Sequence, residues 1–321
     1  MDRRNVVLMP VAQNARSVAV AIGVIIAVFA AWGGVWAQGI PYSGQDVTPV
    51  YEGWQENPDG TFDLLFGYFN RNMQEELDVP VGPDNRIEPG GLDRGQPTHF
   101  YPQRSRFVFY VRVPEDFGDQ EVVWTLTSHG KTNTAYGTLH PDYYADNIVI
   151  MNNQGAGGAG GGANFINDNV APTLRVEGPP LRSVAVGETV TLAAVATDDG
   201  VPKRRTIPLV LPWDEEWDAR RSRIGQRCCP DSASGLRLSW FVYRGRAAAV
   251  TFDPPQFEHW EDYRDGRNSP WSAGWEVPPI PEDNRWTDAT VTFSEPGTYV
   301  LRTLAHDGGL MTSEDVTFIV K

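Results

Sequence analysis

Cysteine is almost missing. The 321 residues hold two, Cys228 and Cys229, and they are neighbours. Adjacent cysteines cannot staple distant strands, so no disulfide framework stands behind this fold and its stability must come from a core. The pair is left to form a strained vicinal disulfide, to bond another chain, or to stay reduced. Arg223 and Arg227 close by would lower a thiol's pKa, which opens a redox or soft-metal role, while an oxidising compartment favours a vicinal disulfide that stiffens its loop. Histidine is equally sparse: His99, His129, His140, His259 and His306 are dispersed, and their spacing defines no metal triad. A Gly-x-Ser-x-Gly elbow, a His-Glu-x-x-His helix, a Gly-Lys-Ser/Thr phosphate loop and a Cys-x-x-Cys pair are all absent. Positive charge is short too, with Lys+Arg 27 against Asp+Glu 41 and a net charge of −14. A surface this acidic repels nucleic acid and anionic lipid and suits cations, basic partners or plain solubility. Between about residues 50 and 151 no stretch keeps a 3.6-residue apolar period, which points to an antiparallel sandwich there.

What the chain does have is glycine (32), proline (25) and short apolar runs, the composition of strands and turns. It also has an export segment. Arg3, Arg4 and Arg16 precede an uncharged run from Val18 to Ala37, followed by polar residues. A basic start, an apolar stretch and small residues at 35 and 37 make residues 1–37 a signal peptide cut after Ala37. The run is also long enough to span a bilayer, so an uncleaved anchor is the alternative, and the membrane is contacted only through it. Either way the bulk lies outside the cytoplasm: periplasmic, secreted or at the cell surface.

The mature chain reads as all-β, two antiparallel β-sandwich domains joined by a Gly-rich linker. The first covers 38–151. In it Val50–Trp54 and Thr61–Phe69 flank an Asn57-Pro58-Asp59-Gly60 hairpin turn, with further strands at 106–113 and 121–127. The linker covers 152–170 and contains a Gly/Ala run at 155–163. The second domain covers 171–321, with strands at 188–197, 236–242, 289–293, 298–305 and 314–320. Two insertions interrupt it, at 201–235 and 256–288. Six of the 11 tryptophans lie in them: Trp213, Trp217, Trp260, Trp271, Trp275 and Trp286.

Gly187-Glu188-Thr189-Val190-Thr191-Leu192, Asp198-Asp199-Gly200, Trp240, Pro296-Gly297-Thr298-Tyr299 and Asp307-Gly308 together resemble the PKD-like and related bacterial immunoglobulin-like families. The resemblance covers about the last 150 residues. It implies a sandwich with Trp240 as the core tryptophan and Tyr299 as a tyrosine corner. It also implies Leu192 and Leu301 where antibody domains carry their disulfide cysteines. Such families serve as extracellular spacers and adhesion units.

Two candidate sites follow. In that topology the loops after 197 and after 305 emerge at one end, so Asp198, Asp199 and Asp307 converge. Clustered hard oxygens suit Ca²⁺, the one cofactor suggested. Turn chemistry alone also accounts for Asp-Gly pairs. The tryptophans of the insertions either stack on a sugar or anchor a partner, or they form a small core that lays the loops down. The reading is a non-catalytic envelope module contacting a protein or glycan. One alternative is a small envelope enzyme with its site between the first domain and the Trp-rich insertion, where His99, His129 and His259 are the residues to watch. The other is a membrane-anchored subunit of a larger assembly.

Overall fold

The computed structural model describes residues 41–154, 168–204, 233–262, 264, 267–272 and 275–321. The export segment, the glycine run, Trp213, Trp217, Cys228 and Cys229 lie outside them.

In the first lobe β1 (Val47–Glu56), β2 (Phe62–Asn70) and β6 (Gln103–Val113) form one antiparallel sheet in that order. Facing it is a second sheet of β4 (Asn85–Glu88), β7 (Val122–Ser128) and β8 (Lys131–Gly137). A short ribbon, β3 (Leu77–Asp78) with β5 (His99–Phe100), lies apart. Leu64, Phe66, Ile87, Phe109, Val111, Trp124 and Leu126 fill the space between the sheets. The Trp124 indole N–H, fully buried, donates to Asn85 Oδ1 at 3.0 Å, which removes the cost of hiding a polar atom there. The asparagine–glycine turn at 57–60 joins β1 to β2 as its residues dictate, Gly60 taking φ 83°. Beyond β8 comes one short helix, α1 (Asn147–Asn153), capped by Asp146, whose Oδ1 accepts from Val149 N–H at 2.8 Å.

The second lobe is an immunoglobulin-like sandwich. One sheet runs β13 (Val250–Asp253), β14 (Arg285–Phe293), β11 (Thr189–Thr197), β9 (Thr173–Val176). The other runs β10 (Leu181–Val184), β16 (Met311–Val320), β15 (Gly297–His306), β12 (Arg237–Arg244). Pairing is antiparallel except for β10, which lies parallel to β16. On β15 the odd positions Tyr299, Leu301 and Ala305 point into the core, where they meet Trp240, Leu192, Val291 and Phe293. Trp240 is 1% exposed. Tyr299 sits in the same core and its hydroxyl donates to Glu295 O at 3.0 Å, so the ring closes the corner that Gly297 opens.

The two sandwich lobes pack together, and Pro41–Lys321 is one compact unit. The cause is the outer face of the β12–β15 sheet. Every residue of β12 from Arg237 to Tyr243 is buried, so its alternation is lost. First-lobe residues 93–101 run along its free edge. Thr98 N–H donates to Tyr243 O (3.1 Å), Val242 N–H to Tyr101 Oη (2.9 Å) and Gly245 N–H to Thr98 Oγ1 (3.0 Å). Arg244 grips Asp93 through two bonds, 2.9 and 2.7 Å. These contacts satisfy backbone groups that an open strand edge would leave to water or to another chain.

Candidate functional site

At one end of the second lobe the loops after β11 and β15 do meet, and the entering chain joins them. Asp307 is fully buried. Its Oδ1 accepts from the Gly309 and Leu310 N–H groups at 2.5 and 2.7 Å, whereas Oδ2 has no hydrogen-bond partner. Burial pushes its pKa up to about 6 against the pull of those N–H groups, and the neighbouring Asp198 pushes the same way. Asp198 uses Oδ2 to accept from Gly200 N–H at 2.9 Å and leaves Oδ1 buried without a partner; burial raises its pKa as well. Asp199 differs. Its oxygens hold the Val201 and Val170 N–H groups at 2.8 and 3.1 Å, so it clamps the incoming strand. Sequence reasoning missed Asn169, which it placed in the linker. Asn169 is 7% exposed, lies beside the Asp307 carboxylate and keeps Oδ1 without a partner. The signal was the polar run Asp168-Asn169 just before Ala171-Pro172.

Among the described residues no group of three His, Cys, Asp or Glu side chains is placed to hold a metal. The oxygens left over are those of two carboxylates and one amide: Asp307 Oδ2, Asp198 Oδ1 and Asn169 Oδ1. The Asn169 amide, which also donates to Met151 Sδ at 3.3 Å, is the side-chain donor beside the Asp307 carboxylate, and two buried carboxylates this close are costly unless a cation or protons neutralise them. Hard, uncharged-plus-anionic oxygen donors of this kind fit Ca²⁺.

The second feature is a cleft of about 840 Å³ between the lobes, walled by Arg104–Tyr110 of β6 and Met311–Asp315 of β16. Its cations are spoken for. Arg104 Nη2 pairs with Glu52 at 2.5 Å, Arg106 pairs with Glu261, and Arg302 holds Asp315 at 2.6 and 2.8 Å. Arg302 also donates to Val108 O at 2.6 Å and lies 3.5 Å over the ring of Tyr243. Two histidines line this cleft, His259 and His306. His259 stacks on Phe241 at 3.8 Å and meets Tyr101 and Trp260 edge-on. Burial, assisted by His99 and Arg302, drops its pKa to about 3. His306 is held well below its usual range by burial and by Arg237; its Nδ1 accepts from Gly308 N–H at 2.8 Å. Both rings are therefore neutral at pH 7.

His99 lies behind that stack, 2.7 Å from Asp78 and 3.2 Å from Glu76. Burial would lower its pKa, but the two carboxylates outweigh it and raise the value. His129 is elsewhere, at the β7–β8 turn beside Glu75. Of the three histidines singled out from sequence, His129 lies apart, whereas His99 and His259 flank the Tyr101 ring, and His259 lines the cleft together with His306.

The tryptophans of the second insertion face inward. Trp260, Trp271, Trp275 and Trp286 are 7–8% exposed, too covered to offer flat faces to a sugar. Trp260 stacks on Tyr101 at 4.5 Å, and Trp275 packs with Val277 and Phe257 under Arg237. Trp286 belongs to the sandwich core. Trp260 and Trp275 lie in two separate small clusters, the first with Phe241 and Tyr243 of β12 and the second with Ala233 and Val277.

No family model matches the chain, and no curated protein matches it. Alignments with solved structures cover most of the chain at low identity. Domains 4 and 5 of the S-layer protein SbsC align at 12% identity over 86% of this chain and 98% of that one, with a TM-score of 0.22. The fibronectin(III)-like modules of Clostridium thermocellum CbhA align at 10% over 86% and 94%, TM-score 0.21. The Yersinia pseudotuberculosis adhesin InvE aligns at 12% over 89% and 61%, TM-score 0.22. Scores of this size carry no functional argument; the immunoglobulin-like assignment rests on the strand order and pairing of the second lobe itself.

Proposed function

We propose that this chain is an exported, non-catalytic binding or structural module of the bacterial cell envelope, contacting a protein or glycan and stabilised by Ca²⁺. Within immunoglobulin-like folds the sequence resemblance favours the PKD-like class. The observation that carries the non-catalytic reading is the state of the cleft. Arg104, Arg106 and Arg302 are each tied to a carboxylate, and His259 and His306 are neutral, buried rings. A general base works best with a pKa near the working pH; His259 Nδ1 and His306 Nε2 are unpartnered nitrogens, but they belong to rings that burial holds far below it. His99 has an orienting carboxylate, yet its second nitrogen faces Glu76. Ca²⁺ would be held by Asp307, Asp198 and Asn169, and would supply charge neutralisation that ties the start of the second lobe to its two loops.

The enzyme reading draws on His259 and His306 lining one cleft. One assay separates the two. The full chain is incubated with isolated envelope polysaccharide and, separately, with solubilised envelope proteins, and the bound fraction is followed with mass spectra of the partner. Saturable binding with an unchanged partner supports the module. Release of cleaved or modified partner, abolished by His259→Phe, overturns it.

A further inference from the structure

The interlobe cleft, about 840 Å³, is of a size that takes a small molecule. Most of its charges are already matched. Arg302 holds Asp315, Arg104 pairs with Glu52 and Arg106 with Glu261. Glu314 is engaged as well, accepting from Val176 N–H at 2.8 Å. Further along β15, at His306, the lining changes. Cross-strand pairing puts Met311, His306 and Arg237 in one row on the outer face of the β16–β15–β12 sheet. His306 is 4% exposed. Its Nδ1 faces only donors, Gly308 N–H at 2.8 Å and Arg237 Nη2 at 3.3 Å. The ring proton therefore sits on Nε2, and that buried N–H meets no acceptor. Gln154 belongs to the same lining and is 5% exposed. Among the described residues the acceptor its side-chain N–H meets is Met311 Sδ, at 3.7 Å. Behind this pair lies Arg237, fully buried, which donates to Ala233 O at 2.8 Å. Among the described residues no carboxylate forms an ion pair with it; Asp307 attracts it from beyond that range.

We propose that this end of the cleft binds the carboxylate of a small apolar monocarboxylic acid, its two oxygens accepting from His306 Nε2–H and Gln154 Nε2–H in place of the Met311 sulfur. Buried donors left without a good acceptor are costly, and a thioether is a weak one. A carboxylate supplies what both lack, two strong acceptor oxygens, and adds a negative charge near Arg237. Met311 is the piece that moves aside; it is half-buried, unbranched and rich in rotors. The apolar body lies on Leu65, Phe107, Ile150 and Leu310, one cluster that lines the cleft beside the donors. Other ligand classes match less. A metal ion needs a bare imidazole nitrogen, and the free nitrogen of His306 carries the proton. A phosphate brings more charge and more oxygens than two donors and one buried cation meet. A cation is repelled by Arg237. A sugar would lose its hydroxyl hydration against the apolar cluster. An uncharged apolar molecule leaves both donors unmet. The site goes beyond the envelope-module reading and does not rest on it.

The test is titration calorimetry of the full chain at pH 7 with octanoate and phenylpropionate, and with their methyl esters and octylammonium as controls. At least one acid should bind saturably, its ester about tenfold more weakly, the scale of one hydrogen bond to a charged group, and octylammonium not at all. An ester that binds as well as its acid overturns the carboxylate site, and so does a chain that binds neither acid. Gln154→Leu and His306→Phe each remove one donor. Each should bring the acid-to-ester ratio of affinities down toward one. A merely structural effect lowers acid and ester alike and leaves the ratio unchanged, which would overturn the assignment of that donor. Because His306→Phe alters a buried ring and is open to misfolding, Gln154→Leu, at the edge of the cleft, carries the same test independently. Met311→Ala should tighten the acid more than the ester. Weaker acid binding in that variant would make the sulfur part of the site and overturn its displacement. A chain that binds envelope protein or polysaccharide but no carboxylate loses this site and keeps the module reading.

Discussion

The Tyr101 hydroxyl accepts a hydrogen bond at 2.9 Å from the backbone N–H of Val242, joining a loop of the first lobe to the edge strand β12 of the second. The ring is also sandwiched, stacked on Trp260 and edge-on to Phe241. Tyr101→Phe keeps the ring and strands a buried N–H, which costs about 1–3 kcal/mol. Tyr101→Ala also empties the space between the lobes and should cost about 3–5 kcal/mol. Urea unfolding reads both. A single shared transition that shifts as one is expected, since the lobes form one unit. A variant that left the second lobe's midpoint unmoved would mean the contact contributes nothing.

His259 gives a pH dependence with a definite sign. Its folded pKa of about 3 lies below the ordinary histidine value near 6.5. Between those values the unfolded chain binds the proton and the folded chain does not, so stability falls as pH falls from 6.5 toward 3. At pH 5 the loss from this one group is about 2 kcal/mol. His99 works the other way: its raised pKa contributes stability that is complete below 6.5 and is lost as pH rises past the folded value. The difference between wild type and His259→Phe isolates the first effect. Urea midpoints at pH 7.5, 6 and 5 should show the wild type dropping more steeply than the variant. Parallel curves would mean the ring is not buried as a neutral base.

The two predictions lean on contacts the sequence could not disclose. β11, β14, β15 and β16 were legible because each buries one face, and alternation records that directly. Trp240 and Tyr299 stood out for the same reason, a large ring at a fixed place in a repeating pattern. β12 was legible as a strand but not as one buried on both faces; what covers Phe241 and Tyr243 comes from residues 93–101, far away in sequence. The aspartate end was half legible. Topology brings Asp198 and Asp307 together, but Asn169 enters from a segment whose composition says only linker, and the engagement of Asp199 by Val170 depends on where that segment lands.

Gly53 sits where β1 bulges, at φ 129°, and a Cβ there would lie 2.5 Å from Tyr143 O and 2.9 Å from Ala145 Cβ. The 143–145 segment can press against β1, with Ala145 N–H donating to Trp54 O, only because that side chain is absent. Gly53→Ala should lower stability by about 1–3 kcal/mol, from backbone strain alone. The aromatic contacts of Tyr143 and Tyr144 with Tyr51 and Trp54 should loosen with it. Near-ultraviolet circular dichroism and thermal melting read the two effects; an unchanged melt would show that the segment yields without cost.

Calcium is tested by melting with Ca²⁺ and with EDTA. An ion bound only to the folded chain at one hundred times its Kd adds about 2.7 kcal/mol, or about 5 °C for a unit of this size. Variants assign the ligands. Asp307→Asn keeps an oxygen for the Gly309 and Leu310 N–H groups while removing the charge that burial penalises. In EDTA it should therefore melt no lower than wild type, and in Ca²⁺ it should gain nothing. Asn169→Ala should shrink the Ca²⁺ increment. Asp199→Ala should melt lower in both conditions, because it loses the Val170 and Val201 clamps, yet keep the increment. If wild type melts alike with and without the ion, no Ca²⁺ is held there, and the relief of the Asp307 and Asp198 carboxylates comes from protons instead: both pKa values are raised by burial, so that end of the fold should gain stability as pH falls toward 6 and below.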